Sequence, residues 1–354
     1  MKRHLFLSLL ALLLFAGTLC AQPPKKFYTK FGGDGDDIAY SGKQILDGQY
    51  IVAGSSTSYF SNGKSDMYLV KVDSFGFPGW QRFIGGIGND VAKSVIQLPD
   101  SGFVLAGYTS SYGAGGYDAY IVRTDKNGDV IWEKTWGGED WDYANDLVQA
   151  SDGHIVVVGH TSSFGSGKKD GFALKYDING NLLWQKFYGG AEDEELRSVI
   201  KTNDNLLATT GLTKSRGDVN GDGYFLKLDL NGDTIFTKKF GGPFVDYACD
   251  LVQKVDGDFI MCGGKSYGQE AKTRAYYYRM SSVGVHVMDT THYDSSIDEF
   301  HVSVANSRNT SILTAFLRTL PVPNAAMQGN IRVAYPNGYE YAVNSFGGTE
   351  DEMF

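Results

Sequence analysis

The sequence predicts an all-β protein, a β-propeller of four-stranded blades, and three observations support this fold class. Pairs of adjacent glycines recur at intervals of 52 or 53 residues. Between these pairs, short stretches alternate between apolar and polar residues, which is typical of β-strands. Turns rich in Gly, Asn, Asp and Ser separate the stretches. Repeats of about 40 to 50 residues with four strands each are characteristic of propeller blades.

Several columns of residues follow the repeat. The double glycines stand at 32–33, 85–86, 137–138, 189–190 and 241–242, and again two periods later at 347–348, so one divergent repeat passes through Asp294. An aspartate column and an aromatic column keep the same step: Asp66, Asp118, Asp170 and Asp222, and Trp80, Trp132, Trp184 and Phe236. We expect the aromatic column to fill the space between blades. The predicted blades are residues 34–86, 87–138, 139–190, 191–242, 243–294 and 295–348 of a repeat domain that covers 22–354.

Blade 2 shows the predicted strands most clearly. The first is VAKSVIQL, which the turn PDSG ends, and the second is FVLAGYTS, which a glycine-rich loop follows. The third is DAYIVRTD, and after the turn KNGD the fourth is VIWEKTW. The double glycine then lets the chain swing to the next unit, because glycine tolerates backbone angles that other residues avoid.

The two ends of the repeat region predict a partial blade. Residues 25–33 resemble a fourth strand with no first three strands before it, and residues 349–354 begin a new unit. Propellers close their ring by combining strands from both ends of the chain in one blade. We therefore expect this sequence to contain six complete blades and to be a fragment of a seven-bladed ring, and a ring of eight or more blades stays open.

The first 21 residues predict a cleaved signal peptide. They contain a basic start, an apolar run from Leu5 to Phe15 and small residues up to Ala21. The run is short for a membrane span, so no transmembrane segment is expected in the mature chain. A lipid anchor at Cys20 is an alternative that Leu19 disfavours. We expect a secreted protein in the extracellular space or on the outer-membrane surface, and the periplasm stays open.

Composition and motifs restrict the function classes. The net charge of −9 argues against nucleic acid as a partner, because phosphates require a basic surface. The sequence contains no G-x-S-x-G, H-E-x-x-H or phosphate-binding loop. His154 and His160 lie six residues apart on one predicted strand, but no third zinc ligand accompanies them. The sequence therefore favours a protein without catalytic activity.

One segment of blade 4 matches a calcium-binding loop. Asp218, Asn220 and Asp222 alternate as oxygen donors before Gly223, the Tyr224 carbonyl could add a ligand, and Asp229 stands at the twelfth position. A plain turn is the competing interpretation, because Asp222 and Asp229 also belong to columns of blades that lack the loop. A strand after the loop would also carry Asp229 away from it. Calcium is the only cofactor that the sequence suggests.

Three further features have a structural and a functional interpretation. Cys249 and Cys262 lie on neighbouring strands, so a disulfide is permitted, although two buried free thiols are favoured because a register change of one residue would separate them. An acidic column follows the double glycines and predicts either a carboxylate ring at one face or hydrogen bonds that stabilise the turns: Asp37, Asp90, Asp142, Glu194, Asp246 and Asp298. Loop aromatics could stack on sugars or pack on the neighbouring blade: Tyr59, Tyr108, Tyr112 and Phe164.

The skeleton from Asp152 to Gly190, DGHIVVVGHTSSFGSGKKDGFALKYDINGNLLWQKFYGG, resembles the secreted propeller repeats of Bacteroidota, within the quinoprotein-like and WD-like propellers. The resemblance covers residues ~27 to 270 well and 271 to 345 poorly. Members of that family often end in a sorting domain, which implies the type IX secretion machinery as a partner through a missing C-terminal domain. The element from Asp125 to Trp132 is also similar to the tryptophan-docking motif of quinoprotein dehydrogenases, but no adjacent cysteine pair is present.

These observations predict a noncatalytic binding or scaffold module that holds a glycan or a protein on a loop face of the ring. Two alternatives stay open. One is a polysaccharide-active or quinoprotein-like propeller enzyme, and the other is a structural spacer in a larger adhesin-like protein.

Overall fold

A computed structural model describes residues 30–59, 64–216, 220–266, 273–291, 299–306, 312–319, 327–334 and 340–346. Within these ranges the regular elements are 24 strands, which form six four-stranded antiparallel sheets. Each sheet consists of four consecutive strands in chain order. This arrangement is the β-propeller that the periodicity predicts. No helix in the described ranges has the length and apolar character that a membrane crossing requires.

The strands of the six blades are short and similar in length. Blade 1 contains β1 Asp37–Gln44, β2 Tyr50–Ser56, β3 Asp66–Val72 and β4 Pro78–Ile84, and blade 2 contains β5 Asp90–Gln97, β6 Phe103–Thr109, β7 Asp118–Thr124 and β8 Val130–Trp136. Blade 3 contains β9 Asp142–Gln149, β10 Ile155–Thr161, β11 Asp170–Tyr176 and β12 Leu182–Tyr188, and blade 4 contains β13 Glu194–Lys201, β14 Leu207–Thr213, β15 Asp222–Leu228 and β16 Thr234–Phe240. Blade 5 contains β17 Asp246–Gln253, β18 Phe259–Ser266, β19 Thr273–Met280 and β20 His286–Thr291, and blade 6 contains β21 Glu299–Asn306, β22 Ile312–Thr319, β23 Met327–Ala334 and β24 Glu340–Phe346.

The first strand of each blade is innermost. Consecutive first strands contact one another from blade 1 to blade 6, as strands around a common axis must. The fourth strands are exposed along most of their length, as the burial of Val130–Trp136 shows, so they lie at the outside. The innermost strands therefore line the central channel.

A β-bulge interrupts the pairing of every first strand. In blade 2 the register with β6 jumps from Ala92 to Ser94, which leaves Lys93 without a partner residue. The same jump occurs in the other five blades, at Tyr40, Asn145, Arg197, Cys249 and Val302. A bulge adds one residue to one strand and re-aims the side chains beside it. In blades 1 to 5 it therefore directs one side chain per blade along the inner ring.

The hydrophobic core lies between the blades. Ala53 and Leu69 of blade 1 pack with Val95 and Phe103 of blade 2, and all four are fully buried. Trp80 packs against this cluster from the fourth strand, and Trp132, Trp184 and Phe236 do so at the next three junctions. The prediction that the aromatic column fills the space between blades is confirmed. Two sheet faces are buried by each junction, which is why the fold needs neighbouring blades.

The second strand of each of the first five blades contains a glycine that allows close packing of the first strand: Gly54, Gly107, Gly159, Gly211 and Gly263. At Gly159, an added Cβ atom would lie 1.9 Å from the carbonyl oxygen of Tyr143. No side chain fits at that distance, so the bulged first strand requires glycine opposite it. The repeated glycine in this column therefore has a steric origin.

Some predictions concern residues outside the described ranges. These are the signal peptide of residues 1–21, residues 25–29 of the partial fourth strand and the partial strand 349–354. Asp218 and Asp298 also lie outside them.

Candidate functional site at the mouth of the central channel

One face of the propeller carries the double-glycine loops and the loops between the second and third strands, and we call it the GG face. The opposite face carries the short turns, and we call it the turn face. On the GG face the acidic column holds the chain turns between blades. Asp90 accepts a hydrogen bond from Gly86 N at 2.8 Å and from the Ser111 hydroxyl at 2.5 Å. Asp142 accepts the Gly138 N–H at 2.8 Å, so these carboxylates stabilise the turns.

The acidic column shifts by one residue in blade 6. The first strand of this blade begins at Glu299, which pairs with Arg318 as Asp246 pairs with Lys265 in blade 5. The sequence column placed Asp298 at this position, and that assignment is wrong. The reason is the interval of 53 residues between the first strands of blades 5 and 6, where a step of 52 was extrapolated.

The bulge residues form the inner wall of the channel near the GG face, which we call the upper channel. Lys93 reaches from blade 2 to blade 1, where its amine lies 3.6 Å from the centroid of the Tyr40 ring. Asn145 donates a hydrogen bond of 2.7 Å to the Leu196 carbonyl of blade 4. Arg197 extends to blade 5, with Nη1 3.9 Å from the sulfur of Cys249. Adjacent blades are thus connected by polar side chains around the axis.

Lys93 is unusual among the largely buried lysines of this chain. Its pKa is lowered to about 8 because burial disfavours the charged amine. Lys175 and Lys254 are also buried, but each forms an ion pair, with Asp152 at 2.5 Å and with Asp256 at 2.8 Å. Within the described ranges, no carboxylate forms such a pair with Lys93. The amine instead contacts the face of the Tyr40 ring, which offsets only part of the cost of burying the charge.

A charged cluster continues the upper channel into blades 3 and 4. Glu195 accepts ion pairs from Arg197 at 2.9 Å and from Lys169 at 3.2 Å. Burial opposes the charge of Glu195, but Arg197, His160 and Lys169 hold the pKa of this carboxyl at about 2. Burial lowers the pKa of His160 to about 4, so the imidazole is neutral at pH 7. In this cluster two permanent cations share one carboxylate.

Four aromatic rings, which we call the mouth cluster, stand where the upper channel opens on the GG face: Tyr108, Tyr117, Trp141 and Tyr143. The Tyr108 ring contacts Tyr117 and Tyr143 edge to face, with centroids 5.2 and 4.9 Å apart. Trp141 contacts Tyr117 at 6.3 Å and Tyr143 at 6.4 Å, again edge to face. Trp141 is nevertheless 58% exposed. The cluster therefore presents one exposed indole to solvent, with three half-buried tyrosine rings around it.

The backbone fixes the position of Trp141. Tyr117 and Trp141 form a β-bridge, and the amide of Asp142 donates a hydrogen bond of 2.7 Å to the Tyr117 carbonyl. The indole also covers Gly116, where an added Cβ atom would lie 2.1 Å from the Trp141 ring. The exposed ring is thus held in one orientation by its surroundings.

Below the upper channel, serine and aspartate side chains form a polar belt that connects the blades. Asp146 accepts hydrogen bonds from Ser94 at 2.6 Å and from Ser198 at 3.2 Å, so blade 3 bonds to blades 2 and 4. Asp250 likewise accepts hydrogen bonds from Ser198 at 2.7 Å and from Ser303 at 2.8 Å, so blade 5 bonds to blades 4 and 6. Burial raises the pKa of Asp146. Both carboxylate oxygens of Asp146 accept hydrogen bonds, so we regard the polar belt as structural.

The structure separates the residues of the proposed calcium loop. Asp222 begins β15 and Asp229 follows its last residue, so the two lie roughly 23 Å apart at about 3.3 Å per residue. Asp229 accepts hydrogen bonds from the amides of Asn231 and Asp233, both at 2.8 Å. The Tyr224 carbonyl accepts the Thr210 hydroxyl at 2.8 Å. These residues cannot surround one ion.

In the first part of the loop, the described side chains that could provide oxygen ligands are engaged with other groups. Asn220 donates its amide to the Pro243 carbonyl at 3.2 Å, and Asp222 lies 3.4 Å from the amine of Lys239. Among the described residues, no three His, Cys, Asp or Glu side chains are grouped as metal ligands. Calcium binding that includes Asp218 stays a prediction.

Both cysteines are free thiols in the structure. Cys249 is the bulged residue of β17, so it has no partner in the ladder, and Cys262 pairs opposite Asp250. Cys262 packs among Ile260 and Tyr277 in the junction between blades 5 and 6. Burial raises the pKa of both thiols. The bulge is the physical reason why a disulfide does not form between them.

The loop aromatics have different environments. The hydroxyl groups of Tyr59 and Tyr112 donate to the carbonyls of Gly32 and Gly85, at 2.9 and 2.8 Å, and so close the blade junctions. Phe164 contacts the Trp136 ring with centroids 5.2 Å apart. Of the four, Tyr108 is the one that belongs to the mouth cluster.

A wide depression of about 730 Å³ lies on the turn face and is lined in part by Gln44, Leu46, Gln97 and Gln149. Two of its glutamine side chains form hydrogen bonds with backbone groups. The Gln97 side chain accepts the Leu46 amide at 2.8 Å, and Gln149 donates to the Gly153 carbonyl at 3.0 Å. We therefore regard the GG face as the stronger candidate.

Most of the upper channel was not predicted from the sequence. Lys93 and Arg197 occupy one column with Tyr40, Asn145 and Cys249 at steps of 52 or 53 residues. This column changes chemically from blade to blade, whereas the residue before it is alanine in four of these five blades and the residue after it is Ser or Asp in all five. Such variation within a regular repeat is the sequence signal that could have identified the site.

Comparison with known proteins supports the propeller fold. Residues 46–76 match the family model described as a domain of unknown function (DUF5122) beta-propeller. The regulatory protein FlaEY of Caulobacter vibrioides is 27% identical over 256 residues, which cover 62% of this chain and 26% of FlaEY. The matched region thus spans about a quarter of the length of that relative.

Among solved structures, a polysaccharide lyase of the PL25 ulvan lyase family bound to a GlcA-Rha3S saccharide is similar, with a TM-score of 0.57. The identity is 11%, and the match covers 88% of this chain and 86% of the lyase. A second structure of such an ulvan lyase has a TM-score of 0.54 at 10% identity and covers 84% of this chain and 81% of its own. At these identities the likeness shows the fold.

Proposed function

We propose that this chain is a noncatalytic glycan-binding propeller whose binding surface is the mouth cluster. The observation that carries the proposal is Trp141, which is 58% exposed although its ring contacts two tyrosines. An aromatic ring offers a flat apolar face, which matches the C–H face of a pyranose, and the tyrosine hydroxyls add hydrogen bonds. Because the rings are already fixed, binding would cost little conformational entropy.

The charged cluster supports binding over catalysis. Most glycoside hydrolases need two carboxyl groups with different pKa values, one of them protonated to serve as the acid. Glu195 has a pKa of about 2 and is committed to Arg197 and Lys169, so it is a poor general acid at neutral pH. A polysaccharide-active enzyme is the alternative, and it is distinguished by product formation.

The test is a glycan-binding panel on the whole chain with two variants. Trp141→Ala removes the exposed ring, and Phe77→Ala is the matched control because Phe77 is 69% exposed in the β3–β4 turn, on the turn face. We expect at least one neutral oligosaccharide to bind the wild type and Phe77→Ala equally, and to bind Trp141→Ala at least ten-fold more weakly. Equal binding by all three proteins would refute the mouth cluster as the site. Release of reducing ends or of unsaturated sugars would refute the noncatalytic assignment.

The location of this activity is a separate proposal. We propose that the protein acts outside the cytoplasm, on the strength of the basic and apolar pattern of residues 1–21. Fractionation of the producing cells tests this, and a cytoplasmic protein that keeps Met1 would contradict it. A protein ligand, the spacer role and type IX secretion stay predictions.

A further inference from the structure

We propose that the ligand of the mouth cluster carries an anionic group, a carboxylate or a sulfate, and that Lys93 binds this group. This inference rests on the proposed function. It specifies the chemical class of the glycan, and it assigns a contact to a residue of the inner wall.

The first argument is the missing ion-pair partner of Lys93. Three other lysine side chains are at least as buried as that of Lys93, and each forms an ion pair with an aspartate of its own blade. These pairs are Lys175–Asp152, Lys227–Asp204 and Lys254–Asp256. Such pairing is the usual way in which a protein offsets the cost of burying a charge. Within the described ranges Lys93 has the Tyr40 ring alone. An anion from outside would complete its environment.

The second argument is the excess of positive charge in the upper channel. Lys93, Lys169 and Arg197 provide three cations, whereas Glu195 is the carboxylate that two of them share. His160 is neutral at pH 7 because its pKa is about 4. These cations give the inner wall groups to which an acidic substituent of the ligand can bind, in a chain whose net charge is −9.

The third argument is the continuity between Lys93 and the mouth cluster. Tyr108 of the cluster pairs with Val91, two residues before Lys93 on the same strand, so the cluster lies beside this lysine. The Lys93 amine lies over the Tyr40 ring. A sugar stacked on the aromatic surface could therefore direct an acidic substituent towards the amine.

The experiment compares charged and neutral forms of the same polymer. The probes are polygalacturonate oligomers and their methyl-esterified forms, and dextran sulfate and plain dextran. Wild type is compared with Lys93→Met, with Lys93→Arg and with Lys186→Met, a control on the outer strand whose amine pairs with Asp233 at 2.8 Å. The melting temperature of each variant confirms that it is folded.

We expect at least one charged probe to bind the wild type ten-fold more tightly than its neutral form. Lys93→Met should abolish this preference, whereas Lys93→Arg and Lys186→Met should keep it. The polygalacturonate and dextran sulfate arms distinguish a carboxylate from a sulfate. Equal affinity for charged and neutral forms, no binding of either charged probe, or a preference that survives in Lys93→Met would each overturn the inference. A Lys93-dependent preference that is insensitive to Trp141→Ala would instead contradict the proposed function alone.

Discussion

Among the residues that the structure describes, no carboxylate pairs with the amine of Lys93, and we therefore predict that replacing this lysine will stabilise the protein. Lys93→Met keeps the length of the side chain and its contact with the Tyr40 ring, but removes the charge. The pKa of Lys93 is about 8 in the folded protein, against 10.5 for an ordinary lysine. Burial therefore disfavours the charged amine in the folded state relative to the unfolded state.

The pKa difference sets the size and the pH window of the effect. A shift of this size corresponds to about 3 kcal/mol at about 1.4 kcal/mol per unit, and we discount it to about 2 kcal/mol because the side chain is partly exposed. Between pH 8 and 10.5 the unfolded state holds the proton and the folded state does not, so wild-type stability rises with pH there. The penalty is complete below pH 8 and absent above pH 10.5.

The assay is urea denaturation of wild type and Lys93→Met at pH 7, 9 and 10.5. We expect the variant to be more stable by about 2 kcal/mol at pH 7, and the difference to shrink towards zero at pH 10.5. Tyrosines titrate in the same range, but they do so in both proteins and their effect cancels in the difference. A difference that does not change with pH would refute the reasoning, because packing effects carry no such dependence. A less stable variant at pH 7 would show that the Tyr40 contact outweighs desolvation.

Three further predictions test the inner ring. Gly159→Ala should destabilise the fold by about 3 kcal/mol or more in thermal or urea unfolding, because its Cβ would lie 1.9 Å from a backbone oxygen. The control is Gly42→Ala, because a Cβ atom at Gly42 would have no atom within 4 Å. This variant should change the free energy of unfolding by less than about 1 kcal/mol. Asp146→Ala should lower the free energy of unfolding by about 3 kcal/mol, since it removes charged hydrogen bonds to two blades, and an unchanged urea midpoint would contradict the belt. Wild-type stability should fall as the pH drops from 6.5 to 4, because the unfolded state protonates His160 first; a His160→Gln variant with the same pH slope would show that other groups cause the loss.

The fold could be predicted from the sequence because each blade repeats one solution to the same packing problem. The step of 52 or 53 residues, the alternation within strands and the turn residues all indicate the same four-stranded unit. The turn role of Asp90 and Asp142 followed from their position after double glycines. Errors arose where the step itself changed, as at Asp298, because a column extrapolated from earlier blades carries no information about a single inserted residue.

The candidate site could not be predicted in the same way, for a geometric reason. Simple alternation assigns each strand residue to one of two faces, but a bulge leaves Lys93 outside the pairing and reverses the alternation after it. Bulges are not visible in the apolar pattern of one first strand. The calcium loop illustrates the opposite case, because the sequence itself indicated that a strand after the loop would carry Asp229 away from it, and a strand does lie between Asp222 and Asp229.

The contrast between two members of the bulge column indicates where specificity resides. Arg197 of blade 4 is neutralised within its own blade by Glu195 and gives a stable link to blade 5. Lys93 of blade 2 occupies the equivalent position, yet Val91 stands where Glu195 would provide the carboxylate. The fold therefore tolerates a cation in this column and also provides the means to pair it. Within the described ranges Lys93 has no such partner, at the junction where binding is proposed. The predicted loss of stability at this position is the usual relation between stability and function at a binding site.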